Sequence, residues 1–166
     1  MKYSVTYLTG WVVIAMLLLA ACGGGSGGDN QSSQKTASQD SEGLTAFQKE
    51  NGIGPVTEKL DLGEIDEQLA KKGEGLFETK CSACHKLDER YVGPAQRDLV
   101  ERRSPEYIMN MMLNPAEMLK KHPEAKKKLA EFMTPMPNQN LSREEARSIL
   151  EFFRYMDKHK DQTEIE

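Results

Sequence analysis

The chain has 166 residues, 22 basic and 26 acidic side chains, a formal net charge of −4 and three cysteines. That length supports one small core and excludes a second catalytic domain beside it. An acidic balance with no interleaving of aromatic and basic residues excludes a nucleic-acid surface.

At the amino terminus, Lys2 and a polar stretch precede the apolar run Trp11 to Ala20, which ends in Leu19-Ala20-Ala21-Cys22. The run is short for a membrane span of roughly 20 apolar residues, and small residues stand before Cys22 where a signal peptidase cuts. This segment resembles a bacterial lipoprotein signal. The resemblance implies removal of residues 1–21, a diacylglycerol thioether on Cys22 and acylation of its new amino group. Two or three acyl chains make a stable anchor at about 0.8 kcal/mol per buried methylene. Residues 22–43, rich in Gly, Ser, Gln and Asp, bury too little surface to order themselves and read as a flexible tether with a mean reach of about 25 Å. Residues 44–65 regain apolar positions (Leu44, Phe47, Ile53, Val56, Leu60, Leu62, Ile65) but carry Gly52, Gly54 and Pro55. This predicts an irregular arm packed on the domain.

From Asp66 the pattern turns helical, with Leu69, Gly73, Leu76 and Phe77 largely on one face. Gly73 costs about 1 kcal/mol in a helix interior, so it marks either close approach by another element or a later helix start. This helix delivers Cys81-Ser82-Ala83-Cys84-His85, a Cys-x-x-Cys-His site, the mark of covalent c-type haem attachment. Cys81 and Cys84 add across the two vinyl groups of one haem, and the adjoining His85 reaches the iron. A redox dithiol or a zinc site has no need of His85, no second cysteine pair completes a four-thiolate zinc shell, and the flanks lack the strands around a thioredoxin-like motif. With Cys22 assigned to lipid and Cys81 and Cys84 to one haem c, no cysteine remains for a disulfide.

Val92-Gly93-Pro94 interrupts the chain beyond the motif. Ser104 followed by Pro105 caps a helix expected to reach Leu113. Asn114-Pro115 ends it and starts another toward Lys121, and Pro123 starts a third toward Phe132. Thr134-Pro135-Met136-Pro137-Asn138 is extended, because each proline lacks an amide hydrogen and disfavours helix before it. Ser142 and Glu145 form a capping box for a last helix to about Lys158, with Ala146, Ile149, Leu150, Phe153 and Met156 on its apolar face. No alternating strand pattern competes, so the fold class is all-α, with one domain over 66–160 and a polar tail over 161–166. Met136, in the extended loop, is the first candidate for the second iron ligand and Met133 the alternative. Met109, Met111, Met112, Met118 and Met156 fill core gaps around a large cofactor. His122, in a lysine-rich turn, and His159, in the tail, read as solvated. Lys120, Lys121, Lys126, Lys127 and Lys128 form a local basic face.

Gly73-x-x-x-Phe77, the haem motif, Gly93-Pro94, Arg103-Ser104-Pro105-Glu106-Tyr107, Met136-Pro137 and Leu141-Ser142-x-Glu144-Glu145 occur in the order found in class I monohaem cytochromes c. Residues 66–158 resemble that family. The resemblance implies about four to five helices wrapped around one haem, the first and last of them crossing where Gly73 or Phe77 meets Leu150 or Phe152. It also implies that the Pro94 carbonyl accepts the His85 ring hydrogen, that Met136 is the Met-Pro ligand, and that Arg102 or Arg103 stands beside a haem propionate. Iron held by His and Met has no open position, and thioether ligation raises its potential. The expectation is therefore a monomeric one-electron carrier, not an enzyme. It is lipid-anchored to a bacterial membrane with its haem domain in the periplasm, between a quinol-oxidising complex as donor and a respiratory reductase or oxidase as acceptor. A weaker similarity to lipoprotein cytochromes that accompany nitrous oxide reductase points toward denitrification. The rival readings are a haem sensor or small catalyst with a displaceable axial ligand, and a fixed electron-transfer subunit of a larger oxidoreductase.

Overall fold

The structure is a computed structural model and describes residues 43–165. The expected signal peptide, Cys22 and the tether up to residue 42 lie outside the described residues. Among those described there are seven α-helices and no strand: α1 (Ala46–Asn51), α2 (Glu67–Lys80), α3 (Leu99–Arg102), α4 (Pro105–Leu113), α5 (Pro115–Lys121), α6 (Pro123–Phe132) and α7 (Arg143–Lys158). No helix among them is long and apolar enough to cross a membrane.

Local chemistry starts each long helix. The Asp66 side chain accepts from the Leu69 amide at 3.0 Å at the head of α2, and Ser104 does the same for Tyr107 with Pro105 behind it. Ser142 and Glu145 complete their capping box at α7. The core is then set by α2 against α7. A Cβ on Gly73 would lie 1.9 Å from the Ser148 carbonyl oxygen, so close approach, not a late start, explains this glycine. One turn on, Phe77 packs on Phe152 and edge-on to Phe153, with ring centroids 5.4 and 5.7 Å away. Ala146, Ile149, Leu150 and Met156 are fully buried behind them. The Asp66 amide donates to the buried Glu151 carboxylate at 2.8 Å, which is also held by Arg154 at 2.8 Å and by Arg147.

Four points depart from the expectations or add to them. The arm over 44–65 is not irregular throughout: Thr45 and Gln48 form a reciprocal capping box that starts α1. Its return strand of chain is pinned to α4 by Asn110, whose amide donates to the carbonyls of Asn51 and Val56 and accepts from the Val56 amide, all at 2.9 Å. Helix α3 is the second addition, one turn long and headed by the Asp157 carboxylate, which accepts from the amides of Asp98 and Val100. Third, His122 is not solvated but 1% exposed. Its Nε2 donates to the Lys49 carbonyl at 3.1 Å and its ring meets Tyr107 edge-on at 5.1 Å. It sits between α5 and α6, where the chain turns and the side chain points inward despite its lysine neighbours. His159 is half-buried and stacks on Tyr155 at 4.3 Å. Fourth, the tail is docked: Ile165 is buried, its amide donates to Glu74 at 2.8 Å and its carbonyl accepts from Lys71.

Candidate functional site

Helix α2 ends in a turn of helical sense. The amides of Cys84 and His85 both return to the Cys81 carbonyl, at 3.0 and 2.9 Å. Positions i, i+3 and i+4 of such a turn share one face, so Cys81, Cys84 and His85 all line one cavity of about 430 Å³. That volume lies within the ordinary range for cofactor pockets, roughly 300–1,000 Å³. Phe77 and Phe153 from the α2–α7 contact, Ile108 and Met112 from α4, and Leu129 and Phe132 from α6 supply apolar walls. Burial pushes the Cys81 thiol up to about 11, with Lys80 opposing and Cys84 adding to the rise. This direction is opposite to the lowered thiol pKa on which redox-active dithiols depend.

The His85 ring is seated against backbone. A Cβ on Gly93 would lie 2.4 Å from its Cε1 and 2.8 Å from its Nδ1. The Pro94 carbonyl lies 3.0 Å from Nδ1. With a hydrogen on Nδ1, the ring donates to that carbonyl and leaves Nε2 free for a metal. Gln96, 7% exposed, also reaches this point: its amide nitrogen is 2.6 Å from the Pro94 oxygen and 2.8 Å from Nδ1. Sequence reasoning missed Gln96, since one polar residue in a turn carries no periodic or motif signal.

Met136 is partly buried, packs against the main core and lines the same cavity. Met133 does not line it. It closes α6 in the left-handed conformation, φ 53°, and is 85% exposed. Arg102 and Arg103 both line the cavity, but their guanidinium groups have protein partners. Arg102 donates to the carbonyls of Ala95, Arg97 and Asp98, whereas Arg103 pairs with Glu124 at 3.0 Å and lies over the Tyr107 ring. The charged lining residues are Lys80, Arg102, Arg103 and Lys128, all basic in a chain of net charge −4.

The cytochrome c family model matches residues 70–157, more than half of the chain. The chain belongs to the cytochrome c family. Among solved structures, a cytochrome c from Rhodothermus marinus is 47% identical, with a TM-score of 0.64 over 68% of this chain and 97% of its own. An engineered cytochrome c from the same organism matches at 47% identity and a TM-score of 0.63, over 67% and 96% of the two chains. An engineered form with a bound carbene intermediate matches at 47% identity and a TM-score of 0.61, with the same coverage. No curated protein sequence matches.

The all-α architecture is thus the cytochrome c fold, and a cytochrome c domain carries covalently bound haem c and serves as a haem-based electron carrier. The residues present suit that cofactor. Two free thiols and an imidazole face an apolar cavity, a glycine makes room for the imidazole ring, and the all-basic charged lining suits a macrocycle bearing two carboxylates.

Proposed function

We propose that this cytochrome c is a one-electron carrier whose iron is held by His85 and Met136, with Cys81 and Cys84 as the covalent attachment points. The observation that carries this reading is that His85 and Met136 line the same apolar cavity while Met133 lies outside its lining. Haem bound there supplies ferrous–ferric exchange, and two protein ligands leave outer-sphere transfer as its chemistry. The chain's own contribution is to orient His85 through Pro94, exclude water with the α2, α4 and α6 walls, and set positive charge beside the carboxylates with Arg102 and Arg103. In the cell, the domain is tethered by lipid on Cys22 to a bacterial membrane and faces the periplasm. It takes electrons from a quinol-oxidising complex and passes them to a respiratory reductase or oxidase.

The test is the far-red optical spectrum of the ferric holoprotein, where sulfur bonded to iron gives a weak charge-transfer band. Wild type and Met133→Ala retain the band, and Met136→Ala loses it. Absence of the band in wild type refutes the closed site and favours the second reading, an axial position open to small ligands. An engineered relative at 47% identity holds a carbene intermediate, which is the observation that favours that reading. For the tether, detergent partitioning of the full-length protein and its loss in Cys22→Ser is the expected pair of results.

A further inference from the structure

Three polar groups converge behind His85: its own Nδ1, the Pro94 carbonyl oxygen and the Gln96 side-chain amide, at 3.0, 2.6 and 2.8 Å from one another. Their hydrogen inventory is constrained. The Pro94 oxygen only accepts, so the Gln96 atom 2.6 Å from it must be the donating NH₂ group; a glutamine oxygen there would face another oxygen. When Nε2 bonds a metal, the single ring hydrogen is on Nδ1, which then donates as well. Two donors therefore share the two lone pairs of one carbonyl. Gln96 is fixed in that place, being 7% exposed with its backbone amide bound to the carbonyls of Lys86 and Leu87 at 3.0 Å.

We propose that Gln96 is a positioning residue that holds the haem potential high by competing with His85 for the Pro94 carbonyl. The inference rests on His85 being an iron ligand, as proposed above. A strong Nδ1–H bond pushes electron density into the imidazole and makes it a better donor to ferric iron, as hydrogen-bonded partners do for metal-bound histidines. The Gln96 N–H occupies part of that acceptor, so the His85 bond is weakened. The imidazole donates less density and the ferrous state gains. The same amide also sets ring orientation, because its hydrogens leave Nδ1 no acceptor other than Pro94. The 2.8 Å between the Gln96 nitrogen and Nδ1 suits an N–H donated to Nδ1 with the ring hydrogen on Nε2; ligation through Nε2 puts the ring hydrogen on Nδ1, so both nitrogens then donate to Pro94 and draw apart from each other.

The experiment is spectroelectrochemical titration of purified holoprotein, wild type against Gln96→Leu and Gln96→Glu. Relief of the competition in Gln96→Leu shifts the ferrous-to-ferric ratio at fixed potential toward ferric by roughly three- to tenfold, where tenfold corresponds to about 59 mV for one electron. Gln96→Glu supplies an acceptor in place of a donor and shifts the ratio further in the same direction. In the proton spectrum of the ferrous protein, the His85 Nδ1–H resonance moves downfield in Gln96→Leu as its bond to Pro94 strengthens. An unchanged or raised potential in Gln96→Leu overturns the proposal, as does a lowered potential with an unmoved Nδ1–H resonance, which would assign the effect to solvent entry. The far-red band reports separately on Met136. Its absence in wild type would refute the closed site while leaving the His85 comparison intact.

Discussion

Gly73→Ala is the most demanding test of the packing that carries the haem motif. The new Cβ would stand 1.9 Å from the Ser148 carbonyl oxygen, 2.5 Å from its carbon and 3.0 Å from the Ile149 nitrogen. All three obstacles are backbone of α7, so no rotamer change relieves them. Restoring an ordinary carbon–oxygen contact of roughly 3.3 Å requires α2 to retreat by more than 1 Å. A gap of about that size forfeits a quarter to a half of the dispersion energy of the contacts around it. Overpacking of this kind costs about 1–3 kcal/mol, and fixed backbone obstacles place it at the upper end. Loosening of the Phe77 contacts with Phe152 and Phe153 adds about 1 kcal/mol. Alanine recovers about 1 kcal/mol of helix propensity, leaving a net loss of about 3 kcal/mol. Urea unfolding of the holoprotein, followed by helical circular dichroism, should show a lower midpoint at an unchanged slope. Stability equal to or above wild type would refute the reasoning, because propensity alone would then have decided the outcome. Because α2 leads directly into Cys81, the same retreat should also weaken the far-red band.

Gly93→Ala places a Cβ 2.4 Å from the His85 ring; the expected result is a tilted or weakly bound ligand, read as lower yield of matured holoprotein and an altered Soret spectrum. Glu151→Gln leaves Arg147 and Arg154 facing a neutral group in a fully buried position, and breaking such a cluster should cost about 3 kcal/mol in urea unfolding. Asn110→Ala removes three of the hydrogen bonds that hold the arm, all of them buried, so limited proteolysis should cut the 44–65 segment sooner than in wild type. Burial holds His122 below the ordinary histidine range, aided by Arg103 and opposed by the carbonyls of Lys49 and Gln48 and by Glu124. The unfolded chain therefore binds a proton that the folded one refuses, and stability should fall as pH drops from the ordinary histidine value of about 6.5 toward the lowered folded value, then level off. Replacing His122 by Phe should flatten that slope.

Elements whose boundaries are local were legible in the sequence. Pro105, Pro115 and Pro123 open their helices at the expected residues, and Ser142 with Glu145 opens α7, because a ring-locked φ and a side-chain cap act within one turn. The haem motif was legible for the same reason: its three side chains need only a single turn to share a face. What stayed hidden depends on partners far along the chain. Helix α1 follows a clear capping box, yet these six residues are held to the domain by Asn110 and His122, more than 55 positions away. His122 looked solvated because its neighbours are lysines, whereas its own direction is set by the turn between α5 and α6. Gln96 has meaning only once His85 and Pro94 have been folded onto it.

Charge shows the same division more sharply. Read along the chain, the lysines of α5 and α6 form a basic face. In the folded domain, however, Lys121 pairs with Glu117, Lys127 with Glu124 and Lys128 with Glu131. Exposed helix pairs of this kind are worth only a few tenths of a kcal/mol each, but they cancel much of the field that a basic docking face would need. Of the basic residues on the cavity lining, Arg103 and Lys128 pair with Glu124 and Glu131, which leaves Lys80 and Arg102 as the charges with no carboxylate partner among the described residues. There, with apolar walls reducing the screening by water, the same charges act most strongly on an anionic group. It follows that the basic residues of this acidic chain have more influence on the cofactor's carboxylates than on a passing partner. Reduction by a small anionic reagent should then show nearly the same weak salt dependence as reduction by a neutral one, which stopped-flow measurement of each across a salt series would check.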